Sequence, residues 1–279
     1  MTRGKLLAGT ILFSVGMAAV NITASHADPT CFGQKATILG TAGDDSELTG
    51  TRHSDVIMGL GGNDIIRGRG GKDMICGGGG HDSGAGGPER DRIRGIESAN
   101  GGTGNDVLKS SYSFPYLKGG EGDDRLVAGQ NNDGHDQGGA QLFGGRGGDY
   151  LQGGAQPDAF RPGPGRDTVV GGDAPNNSDH LFYGNARESV TVDLAAGTTI
   201  GEGNDQFSGI ERVTGSAHDD RLLGTPYTDL LDGSGGNDKI RGANGNDSLD
   251  GGSGSDTVRG GLGNDSCLNA EQTTGCETF

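Results

Sequence analysis

Aspartate recurs along the chain at intervals of nine residues, within Gly-rich strings such as GLGGNDIIR and GSGGNDKIR. Seventeen nonapeptides fit this frame, in blocks that begin at Gly50, Gly101, Gly144 and Gly215. Sixteen of them carry Asp at position six, and the exception has Pro115 there. The candidate functional residues are therefore Asp55, Asp64, Asp73, Asp82, Asp91, Asp106, Asp124, Asp149, Asp158, Asp167, Asp220, Asp229, Asp238, Asp247, Asp256 and Asp265.

The regular spacing of these carboxylates indicates metal binding. If two nonapeptides make one coil, aspartates eighteen residues apart stack on the same edge, as Asp55 and Asp73 would. Stacked carboxylates repel one another, and a hard dication that accepts carboxylate and turn-carbonyl oxygens removes the repulsion. Oxygen ligands without a Cys/His cluster favour Ca²⁺ over Zn²⁺, and Mg²⁺ is disfavoured because it demands a small octahedral cage. Nine pairs keep the spacing, which predicts several Ca²⁺ ions at roughly nine sites. The alternative is that the acidic turns serve only solubility.

The same nonapeptides also predict the secondary structure around the aspartates. Position eight is a bulky apolar residue in fifteen of the seventeen, which suits the inward side chain of a three-residue strand. Positions one to six are rich in Gly, Asn and Asp, which favour a tight turn with positive φ. Stacked coils would pair these strands in parallel around a thin interior. A flexible Gly-rich linker is the alternative, but a linker has no reason to keep this phase.

Composition excludes several classes of protein. Hydrophobic residues make up 30 % of the 279, Gly numbers 60, and Trp is absent. Such a chain cannot offset its ordering entropy by burial alone, so a Rossmann, TIM or helix-bundle enzyme is not expected, and bound metal must add to its stability. The net charge of −16 also argues against a nucleic-acid partner.

The first residues differ from the rest and predict a signal peptide over 1–27. Arg3 and Lys5 precede an apolar run over 6–20, and small residues suit cleavage before Asp28. A transmembrane anchor is the rival interpretation, but the run is shorter than the ~20 residues that span a bilayer. We therefore expect a secreted protein with no membrane span once the signal is removed.

The repeats resemble the RTX, or haemolysin-type, calcium-binding repeat, whose consensus is G-G-x-G-x-D-x-U-x. The resemblance rests on strings such as GGNDII and GGSGSDTV and covers most of residues 40–268. It implies a right-handed parallel β-roll, an all-β β-solenoid, with Ca²⁺ held between turns by the position-six aspartates and backbone carbonyls. More narrowly, the chain is similar to short secreted calcium-binding proteins of actinobacteria. It departs from the consensus at position four, where His53, Glu89, Gln156 and His218 replace Gly.

Two stretches, 128–143 and 173–204, break the repeat. We divide the exported chain into N-terminal roll repeats with insertions over 28–172, a degenerate insert over 173–204, and C-terminal roll repeats with a disulfide cap over 205–279. The alternating residues 189–194 predict a half-buried strand within the insert. Both interruptions are expected to be loops or side sheets on the roll.

Two hexapeptides, GIESAN at 95–100 and GIERVT at 209–214, lie in equivalent places. Each lengthens the step between successive aspartates from 9 to 15 residues, which indicates a recurring variant of the coil.

Four cysteines in an exported chain favour disulfides over reactive thiols. Three pairings are possible, and free structural cysteines are the alternative. From their places along the chain we predict Cys31–Cys76 and Cys267–Cys276, one bridge at each end of the roll.

The sequence carries no H-E-x-x-H, G-x-S-x-G or P-loop string. We therefore expect a non-enzymatic, secreted calcium-binding protein whose folding is coupled to Ca²⁺ binding. The alternative is an adhesive or matrix protein of the cell surface that uses the roll as a spacer, and a polysaccharide-acting enzyme on a β-solenoid is a third class. The repeat itself leaves open whether a protein or a glycan is the partner.

Overall fold

The computed structural model describes residues 29–112, 114–129, 139–172 and 178–277. Two long, mainly parallel sheets enclose a single narrow core. One sheet has twelve strands and the other fifteen. Outside the insert the chain passes alternately from one to the other, so that each regular coil adds a strand to each sheet. The prediction of an all-β parallel β-solenoid is confirmed, with about twelve turns. The predicted signal peptide over 1–27 lies outside the described residues.

The strands are mostly three residues long. In spatial order, the twelve-stranded sheet contains Ser266–Leu268, Ser248–Asp250, Leu230–Asp232, Arg212–Thr214, His180–Phe182, Ala159–Arg161, Gln141–Arg146, Tyr116–Glu121, Ser98–Thr103, Ser83–Pro88, Ile65–Arg67 and Leu48–Thr49. The fifteen-stranded sheet contains Gln272–Thr274, Thr257–Leu262, Lys239–Asn244, Arg221–Leu223, Thr191–Asp193, Thr198–Ile200, Gln206–Ser208, Thr168–Val170, Tyr150–Gln152, Arg125–Val127, Val107–Lys109, Arg92–Arg94, Met74–Gly79, Val56–Gly61 and Ile38–Leu39.

Position eight of the nonapeptide supplies the core, as its spacing predicts. Ile57, Leu108 and Leu231 are at most 1 % exposed, and residues on neighbouring strands stack in register, as Leu108 does on Leu126. Since each coil contributes only two such side chains, the core is one residue deep on either side. Such a core buries little apolar surface for the number of residues ordered.

The hexapeptide GIESAN forms a shorter coil that repairs a gap in this core. Gly84 occupies position eight without a side chain, and a Cβ placed on it would lie 2.5 Å from Ile96 Cδ1. Ile96, from the hexapeptide, is 1 % exposed and fills the space. The second hexapeptide places Ile210 in the core in the same way. The recurrence of the two strings thus reflects a turn with its own core residue.

The insert over 173–204 contributes to both sheets. Its residues His180–Phe182 join the twelve-stranded sheet in parallel. Strand Thr191–Asp193 joins the fifteen-stranded sheet, where it pairs antiparallel with Thr198–Ile200. The predicted half-buried strand over 189–194 therefore forms at Thr191–Asp193, with Val192 fully buried.

Disulfides join Cys31 to Cys76 and Cys267 to Cys276, as predicted. The first ties a small antiparallel hairpin, Thr30–Cys31 with Gln34–Lys35, to the strand that holds Cys76. The second lies in the last coil. Both bridges therefore lie at the ends of the stack of coils.

Position one of the repeat requires glycine for space. A Cβ on Gly242 would lie 2.1 Å from Asp247 Oδ2, so we expect Gly242→Ala to destabilise the calcium-loaded roll by about 1–3 kcal/mol through overpacking. Gly79 is the matched control, because a Cβ there has no neighbour within 4 Å, and Gly79→Ala should change stability by less than about 0.5 kcal/mol. Thermal unfolding followed by circular dichroism checks both variants, and equal losses would contradict the steric argument.

Candidate metal-binding turns

The sixteen predicted aspartates all lie in turns that lead directly into a strand, and all are at most 8 % exposed. They divide between two edges of the roll. The first edge leads into the fifteen-stranded sheet and holds Asp55, Asp73, Asp91, Asp106, Asp124, Asp149, Asp167, Asp220, Asp238 and Asp256. The second edge leads into the twelve-stranded sheet and holds Asp64, Asp82, Asp158, Asp229, Asp247 and Asp265.

Along each edge the aspartates form a hydrogen-bonded ladder. The backbone N–H of one aspartate donates to Oδ1 of the aspartate in the following coil, as Asp106 does to Asp124 at 2.7 Å. All nine pairs eighteen residues apart are joined in this way, with N···O distances of 2.7–3.0 Å. The ladder also crosses the irregular coils, from Asp91 to Asp106 and from Asp124 to Asp149. One oxygen of each carboxyl group is therefore used by the backbone.

The second oxygen, Oδ2, is buried without a hydrogen-bond partner in twelve of the sixteen. Within the described residues these are Asp64, Asp73, Asp82, Asp91, Asp106, Asp124, Asp149, Asp167, Asp238, Asp247, Asp256 and Asp265. A buried acceptor left unpaired typically costs about 1–3 kcal/mol, and more when it is charged. A row of such atoms is thus an arrangement that a cation would complete.

In the other four turns Oδ2 already has a partner. The N–H of the residue at position two donates to it, from Thr51 to Asp55 at 2.6 Å and from Gly154 to Asp158 at 2.6 Å. Asp220 and Asp229 are satisfied in the same way by Ser216 and Thr225. We call these four turns closed, and the twelve turns whose Oδ2 has no partner open.

The residue at position four distinguishes the two kinds of turn. The four closed turns have side chains there, namely His53, Gln156, His218 and Tyr227. The open turns have Gly at position four, except for Glu89, which adopts a left-handed φ of 76° as most of those glycines do. A position-four residue that rarely takes positive φ therefore keeps the turn in the closed conformation, in which the N–H of position two donates to Oδ2 of the aspartate.

Carboxylate and carbonyl oxygens both lie close to position one of the turn, in open and closed turns alike. A Cβ placed on Gly119 would lie 2.3 Å from Asp124 Oδ2 and 2.6 Å from the carbonyl oxygen of Gly144 in the next coil. Elsewhere the same is true of Gly233, with Asp238 Oδ2 at 2.3 Å and the Gly251 oxygen at 2.7 Å. Across the described ranges no three His, Cys, Asp or Glu side chains cluster as a metal cage. The donor set of an open turn is therefore one carboxylate oxygen together with backbone carbonyls, all hard oxygen ligands of the type that Ca²⁺ takes.

A second ladder, which the sequence analysis missed, runs beside the first at position five. The N–H of His81 donates to Asn63 Oδ1, and that of Asn63 donates to Asp44 Oδ1. Asn237 and Ser255 are joined in the same way. The signal was present in the sequence as a frequent Asn, Asp or Ser at position five.

Glutamates replace aspartate where the turn is shortened, and these too were missed. Asp179 N–H donates to Glu211, Asp256 N–H to Glu271, and Asp265 N–H to Glu277. Each glutamate lies two residues after a residue with left-handed φ, at Gly209, Asn269 and Gly275. The longer glutamate side chain places its carboxylate where the Oδ1 of a position-six aspartate lies in a full-length turn.

Three further aspartates extend the ladders beyond the predicted set. Asp45 N–H donates to Asp64, Asp158 N–H donates to Asp179, and Asp167 N–H donates to Asp205. Asp205 is the last aspartate of the ladder that passes through Asp167 on the first edge. The hydroxyl of Tyr183 donates to Asp205 Oδ2 at 2.9 Å.

Burial makes several of the ladder carboxyl groups hard to ionise in the absence of a cation. Desolvation raises the pKa of Asp91, Asp124 and Asp238 to about 7 and that of Asp167 to about 8. Neighbouring carboxylates of the same ladder raise these pKa values further, while the backbone N–H donors lower them. The metal-free edge is therefore electrostatically unfavourable near neutral pH.

The fold and the turns together define a parallel β-roll whose edges are lined by buried, partly unpaired aspartates. The profile of the RTX calcium-binding nonapeptide repeat matches residues 49–83, 116–134, 143–174, 214–249 and 232–267, about half of the chain. The chain belongs to this RTX repeat family, which confirms the resemblance seen in the repeats. None of the curated proteins compared with it matches. In the part of the chain that the structure describes, no helix has the length and apolar character needed to cross a bilayer.

Proposed function

We propose that this chain is an exported, non-enzymatic calcium-binding protein whose folding is coupled to Ca²⁺. The observation that carries the proposal is the set of twelve buried Oδ2 atoms without partners, one to each open turn. These aspartates would hold the ions together with turn carbonyls. The four closed turns at Asp55, Asp158, Asp220 and Asp229 would contribute less, because their Oδ2 atoms already accept hydrogen bonds.

Coupling between binding and folding follows from the thin core and the charged edges. When bound, Ca²⁺ supplies positive charge and takes oxygen ligands, which would offset both the repulsion along each ladder and the unpaired acceptors. Since the unfolded chain does not bring these oxygens together, the free energy of binding becomes free energy of folding. The role in metal binding also accounts for the spacing of the aspartates, which catalysis would not require.

Export is supported by the two disulfides, which form and persist in oxidising compartments. The charged and apolar residues at the start of the chain support it as well. We place the protein with the short secreted calcium-binding proteins of the actinobacterial type, in which RTX repeats combine with flanking cysteines.

Far-UV circular dichroism of the full chain during calcium addition tests the proposal. After chelator treatment at pH 7.5 we expect little strand signal. It should then rise cooperatively with free Ca²⁺ at about 10⁻⁴–10⁻³ M, the range of extracellular calcium modules.

Mg²⁺ at the same concentrations is the matched control and should leave the spectrum nearly unchanged. A full strand signal in excess chelator at pH 7.5, unaffected by Ca²⁺, would refute the coupling.

A further inference from the structure

A groove of about 800 Å³ runs along the outer face of the twelve-stranded sheet, where its strands enter the open turns of the first edge. Its floor is a column of glycines at position two of successive coils, namely Gly87, Gly102, Gly120, Gly145 and Gly163. A Cβ on any of them would lie 2.0–2.1 Å from a carbonyl oxygen of the preceding coil, so the floor cannot carry side chains. Five strands at ~4.8 Å spacing make the groove about 20 Å long.

One wall alternates cations and aromatic rings. Lys118, Phe143 and Arg161 lie in register on adjacent strands, and Phe182 lies on the next. The Arg161 guanidinium lies 4.9 Å from the Phe143 ring centroid and 4.4 Å from that of Phe182. The two rings hold the guanidinium plane in place, so its donors are oriented before any ligand arrives.

The other wall and one end add further positive charge. Arg146 and Pro164 face the aromatic wall, and the insert closes the end of the groove with Arg187 and Glu202. Four cations line the groove, Lys118, Arg146, Arg161 and Arg187, against the carboxylates Glu121 and Glu202. This local excess of positive charge stands out on a chain whose net charge is −16.

We propose that this groove binds an oligosaccharide that carries carboxylate groups. The guanidinium forks match carboxylates in bidentate geometry. The exposed parts of the aromatic rings offer apolar surface for the C–H groups of sugar rings, and the length of the groove suits a chain of several sugar units. A side-chain-free floor lets such a flat, extended ligand approach the backbone.

Other polyanions fit the groove less well. An extended peptide binds a sheet by adding to a free edge, and here the strands beneath the groove are paired on both sides. Nucleic acid carries a far denser charge and would be repelled by the acidic remainder of the surface.

Calorimetric titration of the calcium-saturated full chain with a galacturonate tetrasaccharide tests the assignment. Its methyl ester is the matched ligand control, because it has the same rings without the charges. We expect the free acid to bind about tenfold or more tightly than the ester, because the ester cannot form charge-assisted hydrogen bonds with the guanidinium groups. Arg161→Gln should remove most of this difference, and Phe182→Ala should weaken both ligands.

Arg125→Gln is the matched protein control. Arg125 also stacks on an aromatic ring, 4.1 Å from the Tyr150 centroid, but lies on the opposite sheet. The Arg125→Gln variant should bind both sugars like the wild type. Circular dichroism in calcium checks that every variant is folded. Equal binding of acid and ester, an equal loss with Arg125→Gln, or tighter binding of tetraglutamate than of the sugar would each overturn the proposal.

Discussion

In excess chelator, the full chain is expected to gain strand structure when the pH is lowered from 8 to 4. The reason lies in the buried carboxyl groups of the two edges. Their pKa is about 7 at Asp124 and about 8 at Asp167 in the folded roll, against 3.8 for an ordinary aspartate. A protonated carboxyl group removes the charge that makes the metal-free edge unfavourable.

The direction of the effect follows from proton linkage. Because the pKa values are raised in the folded state, folding takes up protons, and metal-free stability decreases as the pH rises. The stabilising contribution is complete below about pH 4 and is lost as the pH rises through 6 to 8. Acid should therefore replace calcium in part.

Circular dichroism across this pH range, with sedimentation at each point to confirm a monomer, measures the effect. In saturating Ca²⁺ the dependence should reverse, since protons compete with the metal for the same oxygens. A metal-free strand signal that stays flat or increases from pH 4 to 8 would show that the edge carboxylates do not limit folding.

The second large effect is expected from Asp124→Asn. Asparagine keeps the Oδ1 acceptor for the Asp106 N–H and removes the buried charge. In chelator, the midpoint of the acid-induced folding should shift to higher pH, because the variant no longer needs to bind a proton there. The gain should be about 1–3 kcal/mol at neutral pH, the usual cost of one unsatisfied buried group, and should vanish at pH 4.

In saturating Ca²⁺ the order should reverse, with the variant less stable than the wild type, because a carboxylate ligand is missing. Asp193→Asn is the matched control: it makes the same change at a half-buried aspartate whose Oδ1 accepts from the Ala196 N–H, outside the repeat turns. Thermal melts in the two buffers reveal the crossing. If Asp124→Asn destabilises the roll to the same extent in chelator and in calcium, its role is purely structural.

The periodicity of the sequence predicts the coil, the core and the stacked aspartates because each depends on one residue type at one position. The amino-acid sequence does not by itself predict which turns are open and which are closed. The distinction depends on whether position four takes a left-handed φ, and Glu89 does so although it is not glycine. Backbone conformation, rather than residue type, decides whether Asp91 keeps an unpaired oxygen.

The glutamates of the short turns illustrate a different limit. Glu211 and Glu271 lie outside the nine-residue phase, so the spacing that identifies the aspartates passes over them. Only the three-dimensional register shows that their carboxylates take the ladder position.

The aromatic and cationic wall of the groove is hidden for a related reason. Phe143 and Lys118 become neighbours only when the irregular step of 25 residues between Asp124 and Asp149 is accommodated in the stack. The sequence predicts a loop or side sheet over 128–143, whereas the structure places 141–143 in the strand Gln141–Arg146 of the twelve-stranded sheet.

A stack in which each coil touches only its neighbours behaves as a one-dimensional lattice, so unravelling starts where a coil has a neighbour on one side only. The two disulfides lie at those terminal coils. They place covalent bonds near the points where fraying would begin, while the rungs themselves depend on ions that exchange with the medium. A transient fall in calcium would then release the ionic rungs but leave a covalent loop at each end, which limits how far the terminal residues can separate before calcium returns.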